Sequence, residues 1–365
     1  MPVYVNKDSV DVREKLGEIK SGGIAGNAIL RAETPQEQQR LIGHGRRNLI
    51  INGDMSVWQR GTSFTGAAAD QAYTADRFSV SFFDDVSTRS VARSTTAPRG
   101  FAYSMELSSG LEQMYPSTTV ELPASGNPGV FGKGKEFTFS MYSDSTNAPD
   151  AFFLFRQGCH DGANQVVLNQ LGQRMHCIEE DSGNGFKRYS YTFTIQDVPV
   201  SSNICLTIAP RFYETTGTYR ITGYQLEEGS TATSFEHKLV GEELALCQRY
   251  YHRITNNYAI NQNLCMGVVA DTDDVFGVID MPVTMRVPPS VTASAAASFR
   301  VTTVFGSGSS QNCSQLSLGY DGQTHVTIRA RGNGGGFTAG QAKLIGFNET
   351  VGLAYIEFDA EIPSQ

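Results

Sequence analysis

Between residues 48 and 238, apolar and polar residues alternate with a period of two, as they do in strands that bury one face. The segment KEFTFSMYS places on one face Phe137, Phe139 and Met141. The segment RYSYTFTIQ does the same with Tyr189, Tyr191, Phe193 and Ile195. Turn-rich clusters such as ASGNPGVFGKG and EEDSGNG separate these runs. Many short strands with such turns predict an all-β fold built as an antiparallel sandwich.

The segment YRITGYQLEEG continues this pattern toward the end of the predicted sandwich. A single unbroken alternation would place on one face Arg220, Thr222, Tyr224 and Leu226, and on the other Tyr219, Ile221 and Gly223.

A helical spacing interrupts the strands at residues 239–253. One helix face would carry Val240, Leu244, Cys247 and Tyr251. Acidic residues Glu242 and Glu243 occupy the first turn, and Arg249, His252 and Arg253 the last, as the helix dipole favours. We interpret this segment as a connecting helix whose apolar face docks on one or both flanking β regions.

Strand patterns return in the tail, in VFGVIDMPV, SFRVTTVFG, SQLSLGY, HVTIRARG and AYIEFDAEI. In the last of these, alternation continues through Ile356, Phe358, Ala360 and Ile362, which predicts a central strand. The predicted layout is an N-terminal segment (1–47), a jelly-roll sandwich (48–238), a connecting helix (239–253) and a second β-sandwich (254–365).

The N-terminal segment is different in character. Thr34, Pro35 and Glu37 form a capping box that opens a short helix, and Gly43 and Gly45 end it. A segment of this length cannot bury a core of its own. We therefore expect residues 1–47 to lie on the rest of the chain or on a partner.

Charge and hydropathy exclude two classes of partner. The 365 residues carry a formal net charge of −8 with no basic stripe, so we expect no nucleic-acid binding. No apolar run reaches about 18 residues, the least that spans a bilayer. The N-terminus also lacks the apolar core of a signal peptide. We expect neither membrane insertion nor export by the ordinary secretory route.

Six cysteines are present, namely Cys159, Cys177, Cys205, Cys247, Cys265 and Cys313. Without a signal peptide, a disulfide framework is poorly supported. Cys205 in NICLTIAP and Cys247 in LALCQRYY occupy positions suited to small core residues. We predict free buried thiols.

Two groups of residues raise the question of a metal site. Cys159-His160 and His176-Cys177 are adjacent pairs, and neighbours on a strand point to opposite faces, whereas zinc ligands usually have two-residue gaps. Asp271, Asp273 and Asp274 could ligate calcium, but their spacing matches no EF-hand loop. A solvated turn is the better interpretation. We predict no metal and no cofactor.

No catalytic residue is predicted. Glu179-Glu180-Asp181 and Asp84-Asp85 could supply paired carboxylates for sugar cleavage, yet adjacent acids in turns are usually surface charges. There is no G-x-S-x-G elbow, and GNGGG at 332–336 lacks the Lys and Ser/Thr of a phosphate-binding loop. That glycine run is better interpreted as a flexible loop tip. Trp58 is expected in the core.

Two phrases carry a resemblance to a known class of proteins. RNLIINGDMSVWQRGTSF (47–64) with YTADRFSV (73–80) resembles the opening of a jelly-roll module in structural proteins of tailed bacteriophages. GYQLEEGSTATSFEHKLVGEELALCQRYY (223–251) resembles the end of that module, and also the last strand of jelly-roll carbohydrate-binding modules. FGVIDMPVTMRVPPSVTAS is similar to the distal heads of phage fibres, which are commonly trimeric.

The resemblance implies a virion structural protein, a homotrimeric tail fibre or spike assembled in the host cytoplasm. Residues 1–47 would attach it to other virion proteins of the tail or capsid. Head loops 306–312, 319–325 and 332–340 would contact a host surface glycan or protein. Three alternatives stay open: a capsid decoration fibre, a polysaccharide depolymerase using Glu179, Glu180 or Asp181, and a cellular carbohydrate-binding protein.

Overall fold

The computed structural model describes residues 47–82, 89–109, 113–122, 131–157, 165–167, 172–196, 204–213, 217–256, 262–303, 310–348 and 354–362. Its contacts divide the chain into two units, Met1–Leu49 and Ile50–Gln365, and every described strand and helix belongs to the second. The helix predicted at Thr34 lies outside the described residues. So do Cys159-His160 and Asp84-Asp85.

The first part of the second unit is a sandwich of two antiparallel sheets. Seven strands form one sheet in the order β1 (Ser63–Thr65), β3 (Ser90–Ser94), β4 (Ser104–Ser109), β12 (Gly217–Glu228), β6 (Glu136–Ser143), β10 (Lys187–Thr194) and β9 (His176–Glu179). Five form the other in the order β2 (Phe78–Phe82), β5 (Met114–Glu121), β11 (Ile204–Ile208), β7 (Phe153–Gln157) and β8 (Gln165–Val167).

Aromatic side chains fill the space between these two sheets. Phe153 of β7 stacks on Phe193 of β10 with ring centroids 4.5 Å apart, and Phe78 of β2 meets Tyr224 of β12 edge-on at 5.2 Å. The predicted buried face of β6 is confirmed, since Phe137, Phe139 and Met141 are all fully buried. Alternation therefore places large apolar rings inward from both sheets, as a sandwich core requires.

Strand β12 contains a bulge that the sequence pattern did not predict. Its pairing with β6 shifts register between Thr222 and Gln225, where Gly223 has a φ of +66°. The inward face therefore changes phase, from Tyr219 and Ile221 before the bulge to Tyr224 and Leu226 after it. The single alternation predicted for this segment is wrong, because an extra residue in one strand moves later side chains to the other face.

A single α-helix, α1 (Val240–Gln248), occurs among the described residues. The predicted helix to residue 253 is too long, because Tyr251 already begins strand β13 (Tyr251–Thr255). The predicted apolar face is confirmed only in part, since Cys247 and Tyr251 are buried whereas Val240 is 66% exposed. The buried positions are Glu243 and Cys247. Pairing of residues 251–255 with a later strand outweighs the local helical spacing.

The rest of the chain forms a three-stranded sheet and a closed barrel. The sheet has the order β13, β21 (Tyr355–Asp359) and β16 (Ser290–Ala293), so the predicted central position of the last strand is confirmed. The barrel has the order β14 (Asn263–Val269), β15 (Asp274–Asp280), β19 (His325–Gly332), β18 (Gln311–Asp321), β17 (Phe299–Thr303) and β20 (Ala342–Phe347). The all-β, antiparallel class is confirmed.

Barrel closure comes from β20, which pairs with both β14 and β17. The barrel interior holds a continuous apolar cluster that includes Val275, Ile279, Ile328 and Ile345. Gly267 and Gly277 face each other across β14 and β15, and a Cβ on Gly267 would lie 2.5 Å from the carbonyl oxygen of Phe276. Glycine at this pair lets β14 and β15 approach closely.

Candidate functional site

The phrases that carry the resemblance meet at one buried cluster, which we call the joint. It joins the sandwich to the C-terminal strands and is built around the guanidinium groups of Arg60 and Arg77. Arg77 is 1% exposed and forms an ion pair with Glu361. Its Nη2 donates to the Thr119 carbonyl at 2.8 Å, and its guanidinium lies 3.5 Å from the ring centroid of Tyr250.

Arg60 occupies a parallel position beside Arg77. Its guanidinium pairs with Asp359 at 3.2 Å and Glu361 at 3.5 Å, and lies 3.4 Å from the ring centroid of Tyr251. The two arginines of the opening phrases thus stack on the two tyrosines that follow α1. Cation–π stacking and ion pairing act on the same guanidinium groups, which desolvation strengthens.

Asp76, also from the opening phrases, holds Gln59, and Gln59 in turn bonds to strand β13. Its carboxylate accepts hydrogen bonds from the Gln59 backbone N–H at 2.9 Å and from Nε2 at 2.5 Å. Gln59 Nε2 also donates to the Tyr251 carbonyl at 2.7 Å. A residue of the first phrase is therefore bonded directly to the first residue of β13.

The last described segment is held in the joint from both sides. From the sandwich, the Tyr73 hydroxyl donates to the Ile362 carbonyl at 2.6 Å. From the C-terminal part, Arg286 donates to the carbonyls of Ala360 at 2.8 Å and Glu361 at 2.9 Å. The backbone of residues 360–362 thus has fixed partners, and Glu361 is placed against both arginines.

Burial dominates the ionisation of the joint. It raises the pKa of Glu361, although Arg77 and Arg60 oppose the shift, and it raises the pKa of Asp76 in the same way against Arg60. Burial disfavours charge on Arg77, yet the neighbouring Glu361 carboxylate raises the pKa of Arg77 overall. Both arginines therefore keep their charge.

Helix α1 is attached to the same region through a buried carboxylate. The Glu243 side chain pairs with Lys238 at 3.0 Å and accepts a hydrogen bond from the backbone N–H of Asn52 at 2.9 Å. The Asn52 side chain in turn donates to the Val57 and Asp76 carbonyls, both at 2.9 Å. The helix therefore docks through the polar Glu243 as well as through Cys247 of the predicted apolar face.

The closing phrase forms a second structure, a hydrogen-bonded hook over the end of β12. Glu227 is 1% exposed, and its carboxylate accepts from the Thr233 N–H at 2.9 Å and hydroxyl at 2.6 Å. Gln225, fully buried, accepts from the Glu236 N–H at 2.8 Å. These bonds fix residues 229–237 against the sheet. The polar residues Gln225, Glu227 and Thr233 of the closing phrase therefore have a structural role.

The opening phrase also fills the bulge in β12. Around residues 52–55, Asn52 and Met55 have φ angles of +58° and +54°. The Gly53 carbonyl accepts from the Tyr224 N–H at 2.9 Å, and the Asp54 carbonyl accepts from the Thr222 hydroxyl at 3.0 Å. The opening phrase thus accepts one backbone N–H and one side-chain hydroxyl from the bulged part of β12.

Two of the residues considered for sugar cleavage, Glu180 and Asp181, lie in surface ion pairs. Glu180 pairs with Lys187 at 2.7 Å, and hydrogen bonding from that lysine lowers the pKa of Glu180. Asp181 pairs with the exposed Arg99 at 3.1 Å and accepts from the Gly183 N–H. All four residues of β9, including His176, Cys177 and Glu179, are exposed. A general acid needs a raised pKa, which is the opposite of what Glu180 has.

The aspartates at 271–274 form a turn, as the sequence indicated, but one of them is buried. The Asp271 carboxylate accepts from the backbone N–H groups of Asp273 and Asp274, both at 2.8 Å. Asp274 pairs with Arg331 at 2.9 Å and with Arg329. Hydrogen bonds from these two arginines hold the pKa of Asp274 well below its usual range. Within the described ranges, no group of three or more His, Cys, Asp or Glu could hold a metal ion.

The cysteines and Trp58 were assigned to the core on sequence grounds. Cys247 and Cys313 are free and buried, but Cys177 is exposed and Cys205, although fully buried, is disulfide-bonded. The prediction of free buried thiols is therefore wrong for these last two, because sequence position alone shows neither exposure nor pairing. Trp58 is confirmed as a core residue, 9% exposed, with Nε1 donating to the Met55 carbonyl at 2.7 Å.

Of the three predicted head loops, residues 332–340 are the best defined. Backbone N–H groups of Gly332, Phe337 and Gly340 donate to the carbonyls of Asp273, Thr272 and Val269, at distances of 2.9–3.0 Å. Gln311 Nε2 donates to the Gly335 carbonyl at 3.0 Å. The neighbouring turn thus contacts the backbone of this loop at these positions, and the expectation of a flexible tip stays a prediction. Residues 306–309 lie outside the described residues, and 319–321 belong to β18.

The outer surface of the barrel carries a row of exposed apolar side chains on β14 and β15, which we call the apolar row. Its members are Met266, Val268, Phe276 and Val278, with exposures of 61%, 56%, 42% and 48%. Val268 and Phe276 are direct cross-strand partners, and Met266 is opposite Leu344 of β20. On β15 the inward positions are apolar as well, so the strand has an apolar residue on both faces.

Comparisons with known proteins give only distant similarities. No protein-family model matches the chain, and no curated protein matches its sequence. The chain is similar to the enzymatically active domain of tailspike protein 4 of bacteriophage CBA120, with 13% identity and a TM-score of 0.30. That similarity covers 50% of this chain and 21% of the tailspike chain.

Two carbohydrate-binding modules are also similar over about half of the chain. One is a family 61 module solved with β-1,4-galactotriose, at 13% identity and a TM-score of 0.26, covering 50% of this chain and 99% of the module. The other is a family 4 module, at 14% identity and a TM-score of 0.24, covering 49% and 98%. Because these scores are low, the functional proposal rests on the residues of this chain. No helix in the described ranges is long and apolar enough to cross a membrane.

Proposed function

We propose that this chain is a structural protein of a tailed-phage particle, a trimeric tail fibre or spike that contacts a glycan on the host surface. The two phrases that resemble phage jelly-roll modules support this, and the joint gives them a physical role. Those phrases supply Arg60, Asp76 and Arg77, which bind the C-terminal strands to the sandwich. A protein that transmits contact from a distal head needs such a fixed connection.

The apolar row is the observation that carries the trimeric part of the proposal. Met266, Val268, Phe276 and Val278 are neighbours on one outer face and are 42–61% exposed. Contiguous exposed apolar patches usually mark interaction surfaces. We assign a second copy of this chain as the partner, and closure of three copies around an axis would cover each row once.

Light scattering on the full chain tests this. We expect a mass of three times 39.7 kDa. The double variant Val268→Glu/Phe276→Glu places charges on the row and should give monomers that still fold, with a melting temperature lowered by the loss of the subunit contacts. Ile178→Glu is the matched control, since Ile178 is also a strand residue and is 46% exposed. A monomeric wild-type chain, or a charged variant that stays trimeric, would contradict the proposal.

We propose binding without cleavage as the mode of action. The ion pairs of Glu180 with Lys187 and Asp181 with Arg99 support this, because they occupy the carboxylates considered for catalysis. Incubation with host surface polysaccharide should leave its chain length unchanged by size-exclusion chromatography. Shortening that Glu180→Gln or Asp181→Asn abolishes would favour the depolymerase alternative.

Attachment to the particle is proposed to use residues 1–47, with the tail as its site. Full-length protein and a variant lacking residues 1–47 would be added to purified tails and to purified capsids. Binding of the full-length protein to tails alone, lost on truncation, is the expected result. Binding to capsids alone would instead identify a capsid decoration fibre.

A further inference from the structure

A second cluster of polar and aromatic side chains lies at one end of the sandwich, away from the residues that form the joint. Asp150 forms isolated antiparallel bridges with both Arg174 and Arg211. Met114 forms another with Phe212. These bridges bring together the approach to β5, the approaches to β7 and β9, and the residues after β11. Loops at one end of a β-sandwich are a common position for binding residues.

Three aromatic rings and a guanidinium group form the wall of this cluster. Tyr115, Phe152 and Tyr213 are each half-buried. Tyr115 meets Phe152 edge-on with centroids 6.3 Å apart. The Arg211 guanidinium lies 4.1 Å from the ring centroid of Tyr213 and 5.6 Å from that of Tyr115. Arg211 therefore lies between two half-buried tyrosines.

Two buried polar atoms in the cluster lack hydrogen-bond partners among the described residues. The Asp150 side chain is 4% exposed, and its Oδ1 has no hydrogen-bond partner among the described residues, with Nε of Arg174 at 3.9 Å. The Asp150 carboxylate also lies near the Tyr213 hydroxyl, whose pKa is raised by burial and further by that carboxylate. Nε of Arg211 is likewise buried without an acceptor. Such atoms are costly to leave unsatisfied. One needs a donor and the other an acceptor, and a hydroxyl group is both.

The charges of the cluster favour a negatively charged ligand. Arg174 and Arg211 give two positive charges against one negative charge on Asp150, in a chain whose net charge is −8. The Arg174 side chain is 58% exposed, so its guanidinium is accessible to a ligand. Guanidinium groups favour carboxylates through charge-assisted hydrogen bonds.

We propose that Tyr115, Asp150, Arg174, Arg211 and Tyr213 bind one hexuronic acid residue of an acidic glycan. In this site a ring hydroxyl donates to Asp150 Oδ1, a second oxygen accepts from Arg211, and the sugar carboxylate pairs with Arg174. The tyrosines supply the apolar surface that a sugar ring covers. This assignment rests on the proposed glycan contact and names the site and sugar class responsible.

Saturation-transfer NMR with the full chain tests the site, using glucuronic acid and glucose as probes that differ only at C6. We expect transfer to glucuronic acid and at least about tenfold weaker binding of glucose, the loss of one charge-assisted contact. Tyr213→Ala should abolish transfer to both sugars. Arg174→Ala should lower the affinity for glucuronic acid to that for glucose. Arg99→Ala, which changes another exposed arginine, should match wild type.

The outcomes separate this site from the wider proposal. Thermal unfolding of each variant would first establish that it folds, and Arg174→Ala is the safer change because that side chain is mostly exposed. If wild type shows no transfer, or if both variants bind glucuronic acid normally, the site is overturned. Retained binding of the wild-type chain to host cells in either case would leave glycan contact standing elsewhere on the protein. If the wild-type chain neither binds host cells nor forms a trimer, the proposed function itself is contradicted.

Discussion

The carboxylate of Glu361 pairs with the guanidinium of Arg77, 284 positions earlier in the chain. Both side chains are almost completely buried, at 4% and 1% exposure. Arg77 lies directly before the sandwich strand β2, whereas Glu361 follows the central strand of the C-terminal sheet. One ion pair therefore connects two parts of the structure that are distant in sequence. Its loss would destabilise both the sandwich and the C-terminal sheet.

Removing one partner of this pair should cost more than removing both. Glu361→Leu alone would leave Arg77 buried without its ion-pair partner, and Arg77→Met would leave Glu361 with only the longer contact to Arg60 at 3.5 Å, so each change should cost about 3–5 kcal/mol in the free energy of unfolding. The double variant should lose far less than the sum, because neither charge then remains. Denaturant unfolding of all four proteins measures the coupling. Additive losses would contradict a direct interaction. Arg99→Met, in an exposed pair with Asp181, should change little.

The bulge in β12 predicts a specific intolerance at Gly223. Its φ of +66° favours glycine, and a Cβ there would lie 2.5 Å from Cδ2 of Tyr142 and 2.9 Å from Cζ of Phe101. Gly223→Ala should lower the free energy of unfolding by about 2–4 kcal/mol, from backbone strain and overpacking together. Gly229→Ala is the matched control, because its φ of +118° is also positive but no atom lies within 4 Å of its Cβ position. Equal losses in both variants would show that the close approach to Tyr142 is unimportant.

The pairing of Asp274 with Arg331 and Arg329 predicts an acid-sensitive barrel. The pKa of Asp274 is lower in the folded protein than its usual value of about 3.9, so the unfolded chain takes up a proton first. The stabilisation is therefore present above about pH 4 and is lost as the pH falls below that value. Asp274→Asn should have a smaller drop in melting temperature between pH 7 and pH 3 than wild type. Asp280→Asn, an exposed change on the same strand, should keep the wild-type drop.

The hook over β12 predicts that Thr233 protects its own loop from proteolysis. Its hydroxyl donates to the buried Glu227 carboxylate, so Thr233→Val should cost about 1.5–3 kcal/mol in local stability, the value of a hydrogen bond to a charged group. Limited proteolysis should then cleave residues 229–237 faster than in wild type. Thr231→Val changes an exposed threonine of the same loop and should be cut at the wild-type rate. Unchanged cleavage in Thr233→Val would mean that other contacts hold the loop.

The strands of this protein were largely predictable, because alternation reports burial directly. The buried face of β6 at Phe137, Phe139 and Met141 follows from its letters alone. The pattern failed at Gly223, since a bulge depends on which backbone fills the gap, and here that backbone comes from a segment far upstream in the chain. It failed again at Val240, where helical spacing marked as buried a side chain that is 66% exposed.

The joint could not be assembled from the sequence, although its members were visible. The opening phrases contain Arg60, Asp76 and Arg77. However, no feature of the neighbouring sequence indicates that Glu361 lies against them in the fold. Charged residues are rarely buried, so composition argues against such a cluster. The one available signal was that the opening phrases contain Gln-Arg at 59–60 and Asp-Arg at 76–77, and that the closing phrase ends with two tyrosines. Pairing of arginines with tyrosines by stacking would have been a testable expectation.

The position of Glu361 also constrains when the protein can finish folding. Closing a contact between distant residues costs chain entropy before the contact stabilises anything, which slows folding. During synthesis, Arg77 emerges from the ribosome long before Glu361. The guanidinium of Arg77 therefore has no Glu361 carboxylate to pair with while the sandwich strands are being synthesised. The sandwich can reach its final stability only after residue 361 has been added. Chains that end before residue 361 would lack the carboxylate that pairs with Arg77, which distinguishes them from the complete protein.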